Sequence, residues 1–178
     1  MEEEELLLVR PDGSYARQIA EYRQEFLRCQ SSMDGCGPLA RMEDPLEWIE
    51  AIEKASRGEG LPEGWVPCTQ FLWIRKADGR LLGMIQLRHE CNDFLRDYGG
   101  HIGYSIRPTE RRRGYAKRML AACLPHARAL GLQKILITCR DDNEGSRRTI
   151  LANGGVYEST VFEPERQVYL ERYWIPVE

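Results

Sequence analysis

One segment constrains this chain more than any other: His101-Ile102-Gly103-Tyr104-Ser105-Ile106-Arg107-Pro108-Thr109-Glu110-Arg111-Arg112-Arg113-Gly114-Tyr115-Ala116. A strand over His101–Arg107 has to stop at Pro108, whose nitrogen has no hydrogen to give to a ladder. A helix over Gly114–Leu130 opens just beyond it, with Ala116, Met119, Leu120, Cys123, Leu124 and Ala127 on its apolar face and Gly131 as its stop. Pro125 inside that helix removes one backbone bond, so a kink or an unserved carbonyl is expected. Lys134–Cys139 then reads as a buried strand. Strand, helix and strand in close succession confine the chain to the mixed classes.

The flanking segments complete the pattern. Tyr15, Ile19, Tyr22 and Phe26 recur at helical spacing, and Ser31 to Pro38 reads as a loop. Asp44 as N-cap, Pro45 at the first helical position and Glu47 closing a capping box start a second helix, with Leu46, Ile49 and Ile52 as its apolar stripe. Gln70–Arg75 and Leu81–Arg88 are strands joined by a hairpin turn at Ala77-Asp78-Gly79-Arg80. Asn92–Tyr98 is a short helix or an extended loop ended by Gly99-Gly100, Glu144–Asn153 is a helix, and Val156–Phe162 with Gln167–Ile175 form a closing hairpin. The order β-α-α-β-β-β-α-β-α-β-β describes an α/β (α+β) fold, a largely antiparallel sheet flanked by helices. The 178 residues suit a single domain, 1–178.

Charge and cysteine usage narrow the function classes. The formal charge of −3 argues against a dedicated nucleic-acid binder, and Arg111–Arg118 lacks the aromatic platform that single-strand binding uses. The apolar runs are too short to cross a bilayer, and the acidic start Met1-Glu2-Glu3-Glu4-Glu5 is the opposite of a targeting signal, so a cytoplasmic protein without membrane contact is expected. Six cysteines without a C-x-x-C, and three histidines not at zinc spacing, point to reduced thiols and no metal.

The basic loop is where chemistry is expected. A helix opening at Gly114 aims its unpaired N–H groups back into the loop, Gly114 and Ala116 leave room for an anion, and Arg111, Arg112 and Arg113 add charge beside the positive end of the helix. This is the chemistry of a pyrophosphate cradle, yet neither G-x-x-x-x-G-K-[ST] nor G-x-G-x-x-G is present. A solvated helix start accounts for the same charges. The run Arg111-x-x-Gly114-x-Ala116 after Arg107-Pro108 resembles the Q/R-x-x-G-x-G/A motif of the GNAT superfamily of N-acetyltransferases. Asn143-Glu144-Gly145-Ser146 through Asn153-Gly154-Gly155 resembles the next block of that family, and the element order is similar over nearly the whole chain. Gly99–Pro108 is similar to a bacterial subgroup of predicted acetyltransferases.

The resemblance implies acetyl-CoA as cosubstrate and an amine of a small molecule or peptide as acceptor, attacking directly in a ternary complex. It implies pairing of the pantetheine arm with the backbone of Ser105, Ile106 and Arg107, pyrophosphate on the amides of Arg111, Arg112, Arg113, Gly114, Tyr115 and Ala116, and further contacts from Asn143 and Ser146. Asn143 also reads as a helix cap. The family's usual tyrosine acid falls at Ile150, which has no proton to give; Tyr157 is a substitute or an ordinary strand tyrosine. For the base, His101 and Tyr104 lie on the strand before the phosphate loop, although His101 is out of register with the position that relatives use. Glu90, at the end of the neighbouring strand, is the alternative, with Arg88, His89, Asn92 and Asp93 as an acceptor pocket or a plain polar connection. The missing tyrosine equally suits a non-catalytic acyl-CoA sensor. Monomer and homodimer both fit.

Overall fold

The computed structural model describes residues 4–177. Within them the strands are β1 (Leu6–Val9), β2 (Cys68–Arg75), β3 (Arg80–Arg88), β4 (Ile102–Ile106), β5 (Lys134–Arg140), β6 (Val156–Glu163) and β7 (Val168–Pro176). The α-helices are α1 (Ala16–Arg28), α2 (Pro45–Ser56), α3 (Tyr115–Ala129) and α4 (Glu144–Ala152). The strands form two antiparallel sheets, β1-β2-β3-β4 and β5-β7-β6. Register in the first sheet sets Leu72 opposite Met84 and Met84 opposite Ser105. Its central strand β3 does not alternate; it is buried from Leu81 to Leu87 because helices cover both faces. On one face Ile19, Tyr22 and Phe26 of α1 and Trp48 and Ile52 of α2 pack on Leu72 and Met84. On the other, Met119, Leu120, Cys123 and Ala127 of α3 pack on Ile85, Leu87, Ile102 and Ile106.

Two local expectations, the apolar stripe of α2 and its cap, need correction. The buried stripe of α2 is Trp48, Ile52 and Ala55, while Leu46 is 57% exposed. Trp48 is the anchor, since its Nε1 donates to Cys36 O (2.8 Å) and so fixes the loop between α1 and α2. Asp44 caps α2 through Leu46 N (2.8 Å) rather than through the N3 amide of a capping box. Residues 95–99 make a single π turn, and α3 continues through Pro125, which is exposed, so the carbonyl it leaves unserved faces water.

The two sheets share one apolar core under α3, and among the described residues the backbone hydrogen bond between their strands lies at one vertex. His101 N donates to Leu136 O (2.7 Å), and Leu136 N donates to His101 Nδ1 (2.9 Å). Gly100 sits at φ +68°, where a Cβ would come within 2.5 Å of Leu136 O. Beyond this vertex β5 pairs with β7 alone, so β4 keeps an open edge and the sheets enclose a wedge.

Candidate active site

The wide end of the wedge is the loop from β4 to α3. Arg112 (φ +63°) and Gly114 (φ +78°) are both left-handed, a backbone that gathers successive N–H groups into a concavity. The first bond into α3 runs from Arg118 N to Gly114 O (3.3 Å), and among the described residues the amides of 112–117 have no protein acceptor. A Cβ at Gly114 would meet nothing within 4 Å, so its surroundings are open. The loop is clamped from below: Glu110, buried, pairs with Arg80 (2.5 Å), Arg113 (3.3 Å) and Arg75 (3.5 Å).

The arginines of this loop divide. Arg111 Nε donates to Ile106 O (3.0 Å) and its Nη2 to Ser31 Oγ (2.8 Å), while its guanidinium lies over Phe26. Arg113 is taken by Glu110. Only Arg112 has no protein partner among the described residues. The side chain of Arg107 is a core element: buried, it donates to Glu25 Oε2 (2.6 Å) and to Leu81 O (3.2 Å). Burial alone would raise the Glu25 pKa, but the bonds from Arg107 and Thr109 hold it below its ordinary value. Tyr115 turns its phenol to Glu4 and offers the loop only its amide.

Strand parity corrects the pantetheine expectation. Arg107 N donates to Leu82 O (2.8 Å) and Arg88 N to His101 O (2.7 Å), so the odd-numbered residues of β4 pair with β3. Tyr104 and Ile106 therefore present backbone groups to the open edge, whereas Ser105 and Arg107 do not. The Ser105 hydroxyl is also buried against Tyr22 Oη (2.8 Å).

Inside the wedge Tyr104 Oη meets Ser146 Oγ on α4 at 2.7 Å. Burial pushes the Tyr104 pKa well above its ordinary value. The phenol thus stays protonated at neutral pH, able to donate a proton and unable to accept one. Asn143 Oδ1 caps α4 through Ser146 N (3.1 Å), leaving its Nδ2 exposed. Ile150, one turn after Ser146, is fully buried. Tyr157 lies on β6, separated from β5 by β7, exposed and bonded to Thr160 (2.8 Å).

Near the vertex, on the α1–α2 face, is a cavity of about 410 Å³. Its walls are residues 33–35 with Gly37, residues 63–66 and the turn at Phe94 and Leu95, over a floor of Cys68, Gln86 and Arg88. The first wall lies directly on β4: a Cβ at Gly35 (φ +68°) would be 2.2 Å from Gly103 O. Arg88 Nη1 is tied to Gly99 O (3.0 Å) and Gly100 O (3.1 Å) at the start of β4.

Of the segment expected to form the acceptor pocket, only Arg88 lines this cavity. His89 turns its Nε2 onto Thr69 Oγ1 (2.7 Å), Asn92 braces Gly64 O (2.8 Å) and Leu95 N (3.0 Å), and Asp93 points to solvent beside Arg96. Glu90 is exposed and forms no part of the cavity, so the base expected there is not brought to the site. His101 is a buried strut with Nδ1 committed to Leu136, and burial, then Arg88, lower its pKa. The loop carrying Asp34 reaches β4 through the Gly35–Gly103 contact and the Cys36 Sγ–Ser105 Oγ pair (3.4 Å) and is anchored by Trp48, contacts between positions far apart in the chain that no local pattern signals.

The profile of the GNAT acetyltransferase domain matches residues 5–156. Among solved structures, the ribosomal-protein-S5-alanine acetyltransferase of Vibrio fischeri superposes with a TM-score of 0.72 at 15% identity, covering 100% of this chain and 96% of that one. The microcin C7 self-immunity acetyltransferase MccE, in complex with acetyl-CoA and AMP, gives 0.70 at 16% identity over 98% and 93% of the two chains. RimJ of Mycobacterium smegmatis, in complex with CoA-disulfide, gives 0.69 at 19% identity over 96% and 81%. At these identities the likeness is one of fold. No curated protein sequence matches significantly.

Proposed function

The chain belongs to the GNAT acetyltransferase family, and from that premise we propose that it moves acetyl from acetyl-CoA to the amine of a small acceptor by direct attack in a ternary complex. The observation that carries this reading is the row of unpartnered amides at residues 112–117, opening beside the unpaired edge of β4. Acetyl-CoA, when bound, supplies the activated thioester. The amides of 112–117 hold its pyrophosphate, with Arg112 as the free cation, since a row of donors at a helix start suits an anion. Tyr104 and Ile106 offer their open-edge backbone to the pantetheine arm, with Arg111 yielding Ile106 O, and the exposed Nδ2 of Asn143 is a further donor.

Tyr104 holds the proton that the leaving sulfur needs. Its phenol reaches α4 at Ser146, one turn from Ile150, so β4 supplies the acid that α4 lacks. Across β4, the cavity takes the acceptor, and Asp34 holds its ammonium before attack. The test is release of CoA thiol with a panel of amines, at saturating acetyl-CoA. Tight acetyl-CoA binding without turnover on any amine would replace this reading by the acyl-CoA sensor.

A further inference from the structure

Arg88 is the one cationic side chain lining the acceptor cavity, and among the described residues it has no carboxylate partner. Nη1 is used by Gly99 O and Gly100 O, and among the described residues Nε and Nη2 have no protein acceptor. Burial pulls its pKa down, outweighing the opposite pull of Cys68, Cys91 and Asp34, as expected of a buried cation without a carboxylate in contact. Nη2 also lies against β4, since a Cβ on Gly103 would be 3.1 Å from it. Asp34 and Glu63 line the same cavity, and neither pairs with Arg88. One Asp34 oxygen takes the Ser32 hydroxyl (2.9 Å), which leaves the other open. Trp65, Val66 and Leu95 supply apolar wall.

We propose that the acceptor is a free amino acid with an apolar side chain, its carboxylate held by the unpaired fork of Arg88 and its amine by Asp34. The inference rests on the acetyl-transfer reading and deepens it. A planar guanidinium with two free donors matches a carboxylate bidentately. A polyamine would bring a second cation beside Arg88, and an internal stretch of peptide would bring no anion to it. A cavity of about 410 Å³ is of the size that encloses a small ligand. In the transfer an N–C bond forms to the acetyl carbon and the C–S bond of acetyl-CoA breaks. The ammonium loses two protons, one ending on the CoA thiol and the other in solvent.

The experiment compares leucine and phenylalanine with leucinamide, phenylalaninamide and spermidine as acceptors in the thiol-release assay. Free acids should exceed their amides by about 100-fold in kcat/KM, the scale of a charge-assisted pair. Arg88→Met should bring that ratio to within about threefold while calorimetric acetyl-CoA affinity is retained, and Arg88→Lys, which keeps the charge without the fork, should fall between. Should Arg88→Met fail to fold, the wild-type acid-to-amide ratio decides alone. Amides or spermidine used as well as the acids would overturn the proposal. Acetyl-CoA binding with no turnover on any acceptor would remove the transfer reading instead. Calorimetric titration of leucine then decides the amino-acid site by itself: leucine binding that leucinamide does not share upholds it, and no heat from either overturns it.

Discussion

The two ends of the wedge are built by different means. The loop proposed for the pyrophosphate is local: Pro108, the left-handed Arg112 and Gly114, and the start of α3 are contiguous, and their open amides belong to the backbone. The cavity proposed for the acceptor is assembled from stretches far apart in the chain, around Gly35, Trp65 and Leu95 over Gln86 and Arg88, and its first wall is held in place where Gly35 lies on Gly103 and Trp48 pins Cys36. A site made of backbone tolerates loss of side chains and fails on loss of a conformation. A site made of distant side chains behaves the opposite way.

The largest effect expected separates arginines within the first region. Arg107→Ala leaves Glu25 buried without its partner and should cost about 3–5 kcal/mol of stability in chemical denaturation. Arg112→Ala should change stability by less than about 0.5 kcal/mol, with its effect confined to acetyl-CoA affinity. Equal destabilisation by the two would erase the distinction between scaffold and ligand arginines.

At the wedge itself, Tyr104→Phe keeps the ring and removes the proton. Because a thiolate is already a tolerable leaving group, kcat should fall by about 10-fold to 10²-fold, at the lower end of acid catalysis, with acetyl-CoA affinity nearly unchanged. The Tyr104 pKa is raised, so in the wild type kcat/KM should climb with pH as the acceptor amine deprotonates, with no alkaline limb from this phenol below pH 10. Unchanged kcat in Tyr104→Phe would return the acid to open search.

Acid should loosen the vertex before the loop. The His101 pKa is lowered from 6.5, so the unfolded chain takes up a proton that the folded chain resists, and stability present above 6.5 falls as pH drops below it. Glu25, lowered from 4.5, adds a second loss below that value. Thermal midpoints read against pH should show both falls, and His101→Gln should flatten the first. The smallest effect belongs to Glu90→Gln, whose exposed carboxylate lies outside the cavity; activity within about twofold of wild type is expected, and a loss near 10²-fold would restore it as base.

What was legible follows the same division. Periodicity and stop signals located the four α-helices and the strands from β2 to β7, because the apolar spacing of Ile19, Tyr22 and Phe26 and the stops at Pro108 and Gly131 are local signals, whereas the short 3-10 turns at Gly13–Tyr15, Leu39–Arg41 and Pro108–Glu110 carry no such period. The loop between β4 and α3, proposed above to hold the pyrophosphate, was legible as a loop for that reason. Trp48 was overlooked in favour of Leu46, since helical phase alone does not say which side meets the sheet. Ser105 and Arg107 were assigned to the open edge because parity depends on the partner strand, which only the Arg107–Leu82 bond reveals. Arg88, expected in the acceptor pocket, does line the cavity, whereas the place of Asp34 depends on a glycine contact between positions far apart in the chain, a distance no local motif spans.

The most direct test of this division is calorimetric titration of acetyl-CoA into folded Gly114→Val and Gly35→Ala proteins, side by side. Gly114→Val forces a side chain into a left-handed position facing the open amides, and affinity should fall by at least about 10-fold from strain alone and further from obstruction. Gly35→Ala lifts the loop from β4 and should spare acetyl-CoA affinity to within about threefold while cutting acceptor kcat/KM and costing about 1–3 kcal/mol of stability. Unchanged acetyl-CoA affinity in Gly114→Val, or its loss in folded Gly35→Ala, would contradict the account.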